Sequence, residues 1–485
     1  MNISDYLFEN SSSLEKNLVL GPMESKTFKS ISEESGKLAN YLRNKLGQDK
    51  KILLVAQNSS FFIVSYLGIL KSGNICVPLN PAIEMESFKF IKKKTKSKLG
   101  FFSEIVKSRL QPTIECISEL NISEIINCEI KTLLLEQEFD GERVAEIIFT
   151  SGSTASPKGV MLSHNNIIAN TDSIVQYLGL NEKDIMMVVL PFFYCYGLSL
   201  LHSHIRAGGS LVLNNNFIFL GSTFNDLNKY ACTGFAGVPS HFQIMLRKSD
   251  LFKNTKFPYL RYVTQAGGKL HNAFIIEFAE SFPEVKLFVM YGQTEATARL
   301  SYLPAAMLKE KLGSIGIGIP GVELKVVDDF GRLIVHGETG EILARGKNIM
   351  LGYLEDTKST AETIRNGWLY TGDLATIDED GYIYLTARKK EIIKVGGKRV
   401  SPKEIEEIIV TMEGVIDCSV DAVDDELLGE AIQVTLVTNE SGNKITADDL
   451  KKFCSTKLSN YKVPKYVIFK ESIMVNSTGK KVKPF

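Results

Sequence analysis

Thr150, Ser151, Gly152, Ser153 and Thr154 form a short run of hydroxyls and small residues that ends an apolar stretch, "EIIFT". Lys158 follows, held between Pro157 and Gly159. Successive backbone N–H groups with little side-chain bulk make a concavity for anionic oxygens, and a lysine adds a point charge. The chemistry suggested is phosphate binding. The segment is not a Walker loop, because Lys158 precedes a glycine and no hydroxyl follows it. "GIGIPG" (Gly316 to Gly321) fits the dinucleotide glycine spacing, but strand-like "VELKVVDD" follows where a helix would have to open. A nicotinamide site is therefore not expected.

The elements that must position these residues alternate along the first part of the chain. "KILLVA", "NICVPLN", "DIMMVVLPF", "SLVLNN", "CTGFAGVP", "LRYVTQAG" and "VKLFVMYG" are short apolar runs ended by glycine, proline or polar clusters. Helix-length patterns such as "SSFFIVSYLGILKSG" separate them. That alternation implies α/β architecture with parallel, helix-covered sheets, in which ligands collect beyond the carboxyl ends of strands. After about Gly313 the pattern turns to antiparallel β in "VELKVVDDFGRLIVHGETGEILARG". "IIKVGGKRV" then reads as a hairpin with a Gly-Gly turn, and Ser401, Pro402 and Glu404 as a helix start with a capping box. We expect a large N-terminal domain with a β subdomain, residues 1–387, and a small α+β C-terminal domain, residues 388–485.

Composition bounds the function. The 485 residues are 44% hydrophobic, enough for more than one domain, and their charges sum to zero. No global field favours nucleic acid or an anionic membrane. The most apolar early stretch, "FFIVSYLGIL", is far short of a bilayer span, and "MNISDYLFEN" has no signal-peptide pattern. Seven scattered cysteines and six dispersed histidines suggest free thiols in a reducing, cytoplasmic setting, with neither a disulfide frame nor a metal cluster.

The order "TSGSTASPKG" resembles the phosphate loop of the adenylate-forming, acyl-CoA synthetase-like superfamily, departing at Ala155. "YGQTEAT", "YTGDLATIDEDGYIYLTARKKEIIKVGGKRVSPKEIE", "NSTGKKVKPF" and "NSSFFIVSYLGILKSGNICVPLNP" resemble further segments of that family, in its order and over nearly the whole chain. The resemblance implies an enzyme that joins a carboxylic acid to ATP, releases pyrophosphate, and passes the acyl group to a thiol. It implies that Thr150, Ser151, Gly152, Ser153, Thr154 and Lys158 cradle the β- and γ-phosphates, Glu295 holds Mg²⁺, and Thr294 reaches the α-phosphate. Asp373 and Arg388 would bind the ribose, with Arg388 also placed for a phosphate. Tyr291 and the backbone of Gly267 and Gly268 would bind adenine, and Lys480 would bridge the attacking carboxylate and the α-phosphate. The C-terminal domain would be mobile about Lys390, with Gly397 lining the thiol tunnel and Lys394 near it.

"LPFFYCYGLSL" resembles the acid-pocket segment, with Phe193-Tyr194 where many relatives carry an aromatic-histidine pair. Tyr194, Tyr196 and Val238 would line an apolar or aromatic pocket; Phe192 and Leu198 are equally consistent with core packing. No Asp or Glu lies between Leu190 and Leu200, so an α-ammonium would lack a partner, and a fatty or aryl acid is the expected substrate. CoA is the leading acceptor. A carrier-protein phosphopantetheine presents the same thiol arm and stays open. From another class, so does an inactive ATP-binding scaffold, against which the retained Lys158, Glu295, Asp373, Arg388 and Lys480 argue; a luciferase-like oxidation is more remote.

Overall fold

A computed structural model describes residues 1–21, 24–133, 138–150, 157–439, 445–476 and 481, the side chain of Asp250 excepted. The elements are mixed α/β in four sheets. A seven-stranded sheet has Val144–Thr150 and Ile75–Pro78 near its middle, and a nine-stranded sheet carries Ile185–Val188, Gly234–Gly237, Tyr262–Gln265 and Lys286–Tyr291 side by side. These strands pair in parallel, as the alternating pattern predicts, and antiparallel strands lie toward the edges. Their continuous apolar runs are explained by burial on both faces: Ile52, Leu53, Leu54 and Val55 are all fully buried.

The helix Ser60–Lys71 is apolar all round because it lies inside the molecule, and Ser59 caps it by accepting from the Phe62 amide at 3.2 Å. Phe62 meets Phe192 with ring centroids 5.6 Å apart, so Phe192 belongs to the core that joins the two large sheets; Leu198 lies in the same core. Among the described residues no helix is long and apolar enough to cross a membrane, and the seven cysteines are free thiols.

A five-stranded antiparallel sheet follows, built on Val322–Val327, Gly340–Gly346 and Trp368–Ile377. Ile317–Gly318 runs by a short turn into Val322–Val327, so "GIGIPG" opens a strand. The smaller C-terminal unit holds the last sheet. Its hairpin pairs Val395 with Lys398 across Gly396 and Gly397, whose φ values of 54° and 80° need residues without a Cβ. The helix Pro402–Ile409 does start at Ser401 with proline in its first turn, but the expected capping box is absent. The Ser401 hydroxyl instead donates to the Thr386 carbonyl, and Glu404 pairs with Lys462. Each side chain has a tertiary partner that replaces the local one.

Candidate active site

Thr150 and Lys158 face each other in direct antiparallel register, so the two ends of the phosphate-loop segment lie side by side. Ser151, Gly152, Ser153, Thr154 and Ala155 lie outside the described residues, as does Lys480. The Lys158 ammonium donates to Ser359 Oγ at 2.7 Å, lies 3.9 Å from Asp356 Oδ2, and sits 4.8 Å from the Tyr353 ring centroid. Tyr353 is there because the short strand Gly352–Tyr353 pairs with the strand that begins at Lys158. Its hydroxyl donates to Glu295 Oε1 at 2.8 Å. Burial and the Glu295 charge push that phenol's pKa up.

Thr294 and Glu295 lie in a single 3₁₀ turn directly after the strand Lys286–Tyr291. Gly292 permits it: a Cβ there would stand 2.0 Å from the Ala298 carbonyl oxygen, so the loop closes on a residue without a side chain. Thr294 is buried, with Oγ1 3.5 Å from Cys195 Sγ. Cys195 begins the helix Cys195–Ala207, which carries one predicted acid-pocket residue, Tyr196, and directly follows two others, Phe193 and Tyr194.

Asp373 and Arg388 are register partners on adjacent strands. Arg388 Nε donates to Asp373 Oδ1 at 2.8 Å, and the Tyr291 hydroxyl donates to Asp373 Oδ2 at 2.7 Å. The Asp373 charge holds the Arg388 guanidinium well above its ordinary pKa, while burial first and Asp373 second raise the Tyr291 phenol. Tyr291 thus ties the Thr294–Glu295 turn to the Asp373 carboxylate. Each Asp373 oxygen has a second lone pair for further donors.

The glycine pair follows the strand Tyr262–Gln265, which pairs in parallel with Lys286–Tyr291. Gly267 has φ 85°, and the Gln265 side-chain amide donates to the Gly268 carbonyl at 2.7 Å. Gln265 Oε1 and Gln293 Nε2 are buried with no partner among the described residues. A buried acceptor and a buried donor left open suit a polar ligand such as a nucleotide.

The acid-pocket segment divides. Phe193 and Tyr194 are half-buried in the turn before the helix. Tyr196 and Val238 are fully buried; the Tyr196 hydroxyl is 2.8 Å from Thr264 Oγ1, and Val238 precedes the helix Pro239–Arg247. Sequence reasoning missed Tyr353, Ser359, Asp356 and Arg299. The first three are brought in by strand pairing from a distant segment with no motif. Arg299 carries no signal, since an arginine four residues after Glu295 has the spacing of an ordinary helical ion pair.

The C-terminal unit docks beside the glycine pair. Glu407 accepts from the Asn272 amide at 2.6 Å and from His271 Nδ1 at 3.1 Å, and lies 3.3 Å from the Lys269 ammonium. Arg247 donates to the carbonyls of Val410 and Val415 at 3.2 and 2.6 Å. Lys390 is exposed between the β subdomain and the hairpin. Lys394 is exposed with its amide on Glu430, and Gly397 is exposed at the hairpin tip. Lys389 makes surface ion pairs with Asp329 and Glu341.

The architecture is that of known CoA ligases. An anthranilate CoA ligase solved in complex with anthranoyl-AMP superposes with a TM-score of 0.91 at 24% identity, covering 99% of this chain and 95% of that one. A benzoate CoA ligase from Burkholderia xenovorans gives 0.90 at 21% identity, covering 99% and 98%. In sequence, residues 11–354 match the AMP-binding enzyme family and residues 404–480 its C-terminal domain. An oxalate–CoA ligase from Arabidopsis thaliana is 30% identical over 451 residues, 88% of this chain and 86% of that protein. A long-chain-fatty-acid–CoA ligase from Salmonella typhimurium is 29% identical over 94% of this chain and 88% of its own. The chain belongs to the AMP-binding enzyme family and is an AMP-forming acid–CoA ligase.

Proposed function

We propose that the protein activates an apolar or aryl carboxylic acid with ATP and transfers it to the thiol of CoA, using the residues gathered around Asp373 and Thr294. The observation that carries this reading is the Tyr291–Asp373 hydrogen bond at 2.7 Å, which holds a ribose-type acceptor against the Thr294–Glu295 turn. In the first step a substrate carboxylate oxygen attacks the α-phosphorus, and the bond to the pyrophosphate oxygen breaks. In the second, the thiol sulfur attacks the acyl carbon and AMP leaves. Both steps are governed by positioning and by neutralising charge.

Asp373 accepts from the ribose hydroxyls while Arg388 and Tyr291 fix its orientation. Thr294 donates toward the α-phosphate. Gln265 and Gln293 supply the open polar atoms at the nucleotide. Lys158 leaves its Ser359 contact for the phosphates of the hairpin loop, and Lys480 pairs with the attacking carboxylate. Glu295 fits Mg²⁺: one oxygen is held by Tyr353, and Mg²⁺ usually takes one or two carboxylates with phosphate oxygens. Bound Mg²⁺ supplies charge neutralisation at the phosphates. Residues 388–485 turn about Lys390 between the two steps, bringing the hairpin at Gly397 and Lys394 to the thiol.

Pyrophosphate release across a panel of acids, with and without CoA, tests this. Acid-dependent release, nearly abolished by Lys480→Ala while preformed acyl-adenylate is still consumed with CoA, is the expected result. Absence of release with every acid would leave a nucleotide-binding scaffold.

A further inference from the structure

Arg299 is buried, at 2% exposure, and the reaction above does not use it. It lies one residue beyond a γ-turn of the strained hand: Thr297 has φ 65° and ψ −58°, and the Ala298 amide donates to the Ala296 carbonyl at 2.7 Å. The strained turn sets the direction of the next side chain, and the Arg299 guanidinium carbon lies 4.2 Å from the Tyr196 ring centroid. Its hydrogen-bonding neighbours are hydroxyls, Ser199 Oγ at 3.5 Å and Tyr177, and its Nε is buried without a partner.

Among the described residues no carboxylate pairs with it. Cations less deeply buried than Arg299 do have carboxylate partners. Lys71 is paired with Asp5, Arg261 with Asp184 and Lys403 with Glu406. A guanidinium keeps its charge when buried, and an unpaired buried charge is strongly destabilising. Three neutral phenols and hydroxyls do not offset that, so the site as built lacks an anion.

The position of the missing anion follows from the neighbours. Thr294, expected at the α-phosphate that the substrate carboxylate attacks, has Oγ1 3.5 Å from Cys195 Sγ, and Cys195 is flanked by Tyr194 and Tyr196. Tyr194 feels both Arg388, on the nucleotide side, and Arg299. A ligand with one end at Thr294 and its body along these tyrosines ends against Arg299. We propose that Arg299 is a specificity-determining residue and that the acid substrate carries a second anionic group, a dicarboxylic acid with an apolar or aromatic body whose distal carboxylate pairs with Arg299. This rests on the acid-activating reading and names its substrate class.

The test compares dicarboxylic acids with monocarboxylic acids of the same carbon skeleton, in pyrophosphate release by the full chain. A dicarboxylate should be favoured in kcat/KM by about 100-fold, as for a desolvated charge pair. Arg299→Met should lose that preference and gain the monocarboxylate. Should that variant not fold, Arg299→Gln removes the charge while keeping hydrogen-bond donors and carries the same test. A wild type that prefers monocarboxylates, or a ratio unchanged by either substitution, overturns the proposal. Absence of release with both classes overturns the acid-activating reading itself, and this inference with it.

Discussion

The Tyr353 hydroxyl donates to Glu295 Oε1 at 2.8 Å, and the same ring carries the Lys158 ammonium 4.8 Å from its centroid. One side chain therefore positions the carboxylate proposed for Mg²⁺ and the cation proposed for phosphate. Tyr353→Phe keeps the ring under Lys158 and removes only the bond to Glu295. A hydrogen bond to a half-buried charged group contributes about 1 kcal/mol net, so kcat/KM for ATP should fall about fivefold. ATP–pyrophosphate exchange over a range of Mg²⁺ concentrations measures it, with the Mg²⁺ requirement shifting upward. An unchanged Mg²⁺ requirement would mean that Tyr353 does not act through Glu295.

Asp373 is the next point of leverage. Asp373→Asn preserves shape but removes the charge that pairs with Arg388 and accepts from Tyr291. The Arg388 side chain is 57% exposed, so water takes over part of its solvation and the fold should survive. The expected loss is in nucleotide handling, about 10-fold to 100-fold in kcat/KM for ATP, with little change in KM for the acid. Equal losses for both substrates would place Asp373 in general scaffolding.

How far the sequence carried this picture differs from element to element. The parallel strands were legible because burial on both faces leaves unbroken apolar runs, as in Ile52–Val55. The Gly396–Gly397 turn was legible because positive φ selects glycine. Asp373 and Arg388 were singled out by motif order, each as a ligand contact, whereas their ion pair and direct cross-strand register were not. Tyr353 was invisible, since strand pairing with the Lys158 strand brings it from nearly two hundred residues away and leaves no local signature. The Ser401–Glu404 box misled because each side chain has a tertiary partner in place of the local one, which the local sequence does not show.

Glu146 offers a prediction about stability rather than catalysis. It is buried beside Tyr66, whose hydroxyl lies 2.8 Å from both Glu146 Oε2 and His202 Nε2. Burial lifts the carboxyl from about 4.5 to about 7, against a smaller lowering by Tyr66. A carboxyl raised on folding binds more protons in the native state. It therefore stabilises the fold below its ordinary value, and that contribution is lost as pH rises from about 4.5 through about 7. The span corresponds to about 3 kcal/mol. Burial lowers His202 to about 3, which works in the opposite direction on acidification, so wild type alone will not isolate the effect. Glu146→Gln should gain on wild type in Tm as pH rises from 5 to 8. Parallel Tm curves would show that Glu146 stays ionised in the core.

Glu407 bears on the coupling of the two domains. Burial alone would raise its carboxyl, but His271, Lys269 and the Asn272 amide together hold it at about 2. A depressed carboxylate contributes fully above its ordinary value and loses that contribution as pH falls toward 2, so Glu407 itself adds no pH dependence to docking from 5 to 8. Glu407→Gln removes the charge but leaves Arg247 on the Val410 and Val415 carbonyls, so the C-terminal unit should loosen without unfolding. Charge-assisted bonds at a partly exposed site support an increase of about tenfold in the open population. Tryptic cleavage at the exposed Lys389–Lys390 connection reports that opening, and should quicken by a similar factor. Pyrophosphate release should fall while consumption of preformed acyl-adenylate with CoA holds, since Lys480 is proposed to act in the first step alone. Unaltered cleavage together with unaltered release would remove this interface from control of the proposed domain movement.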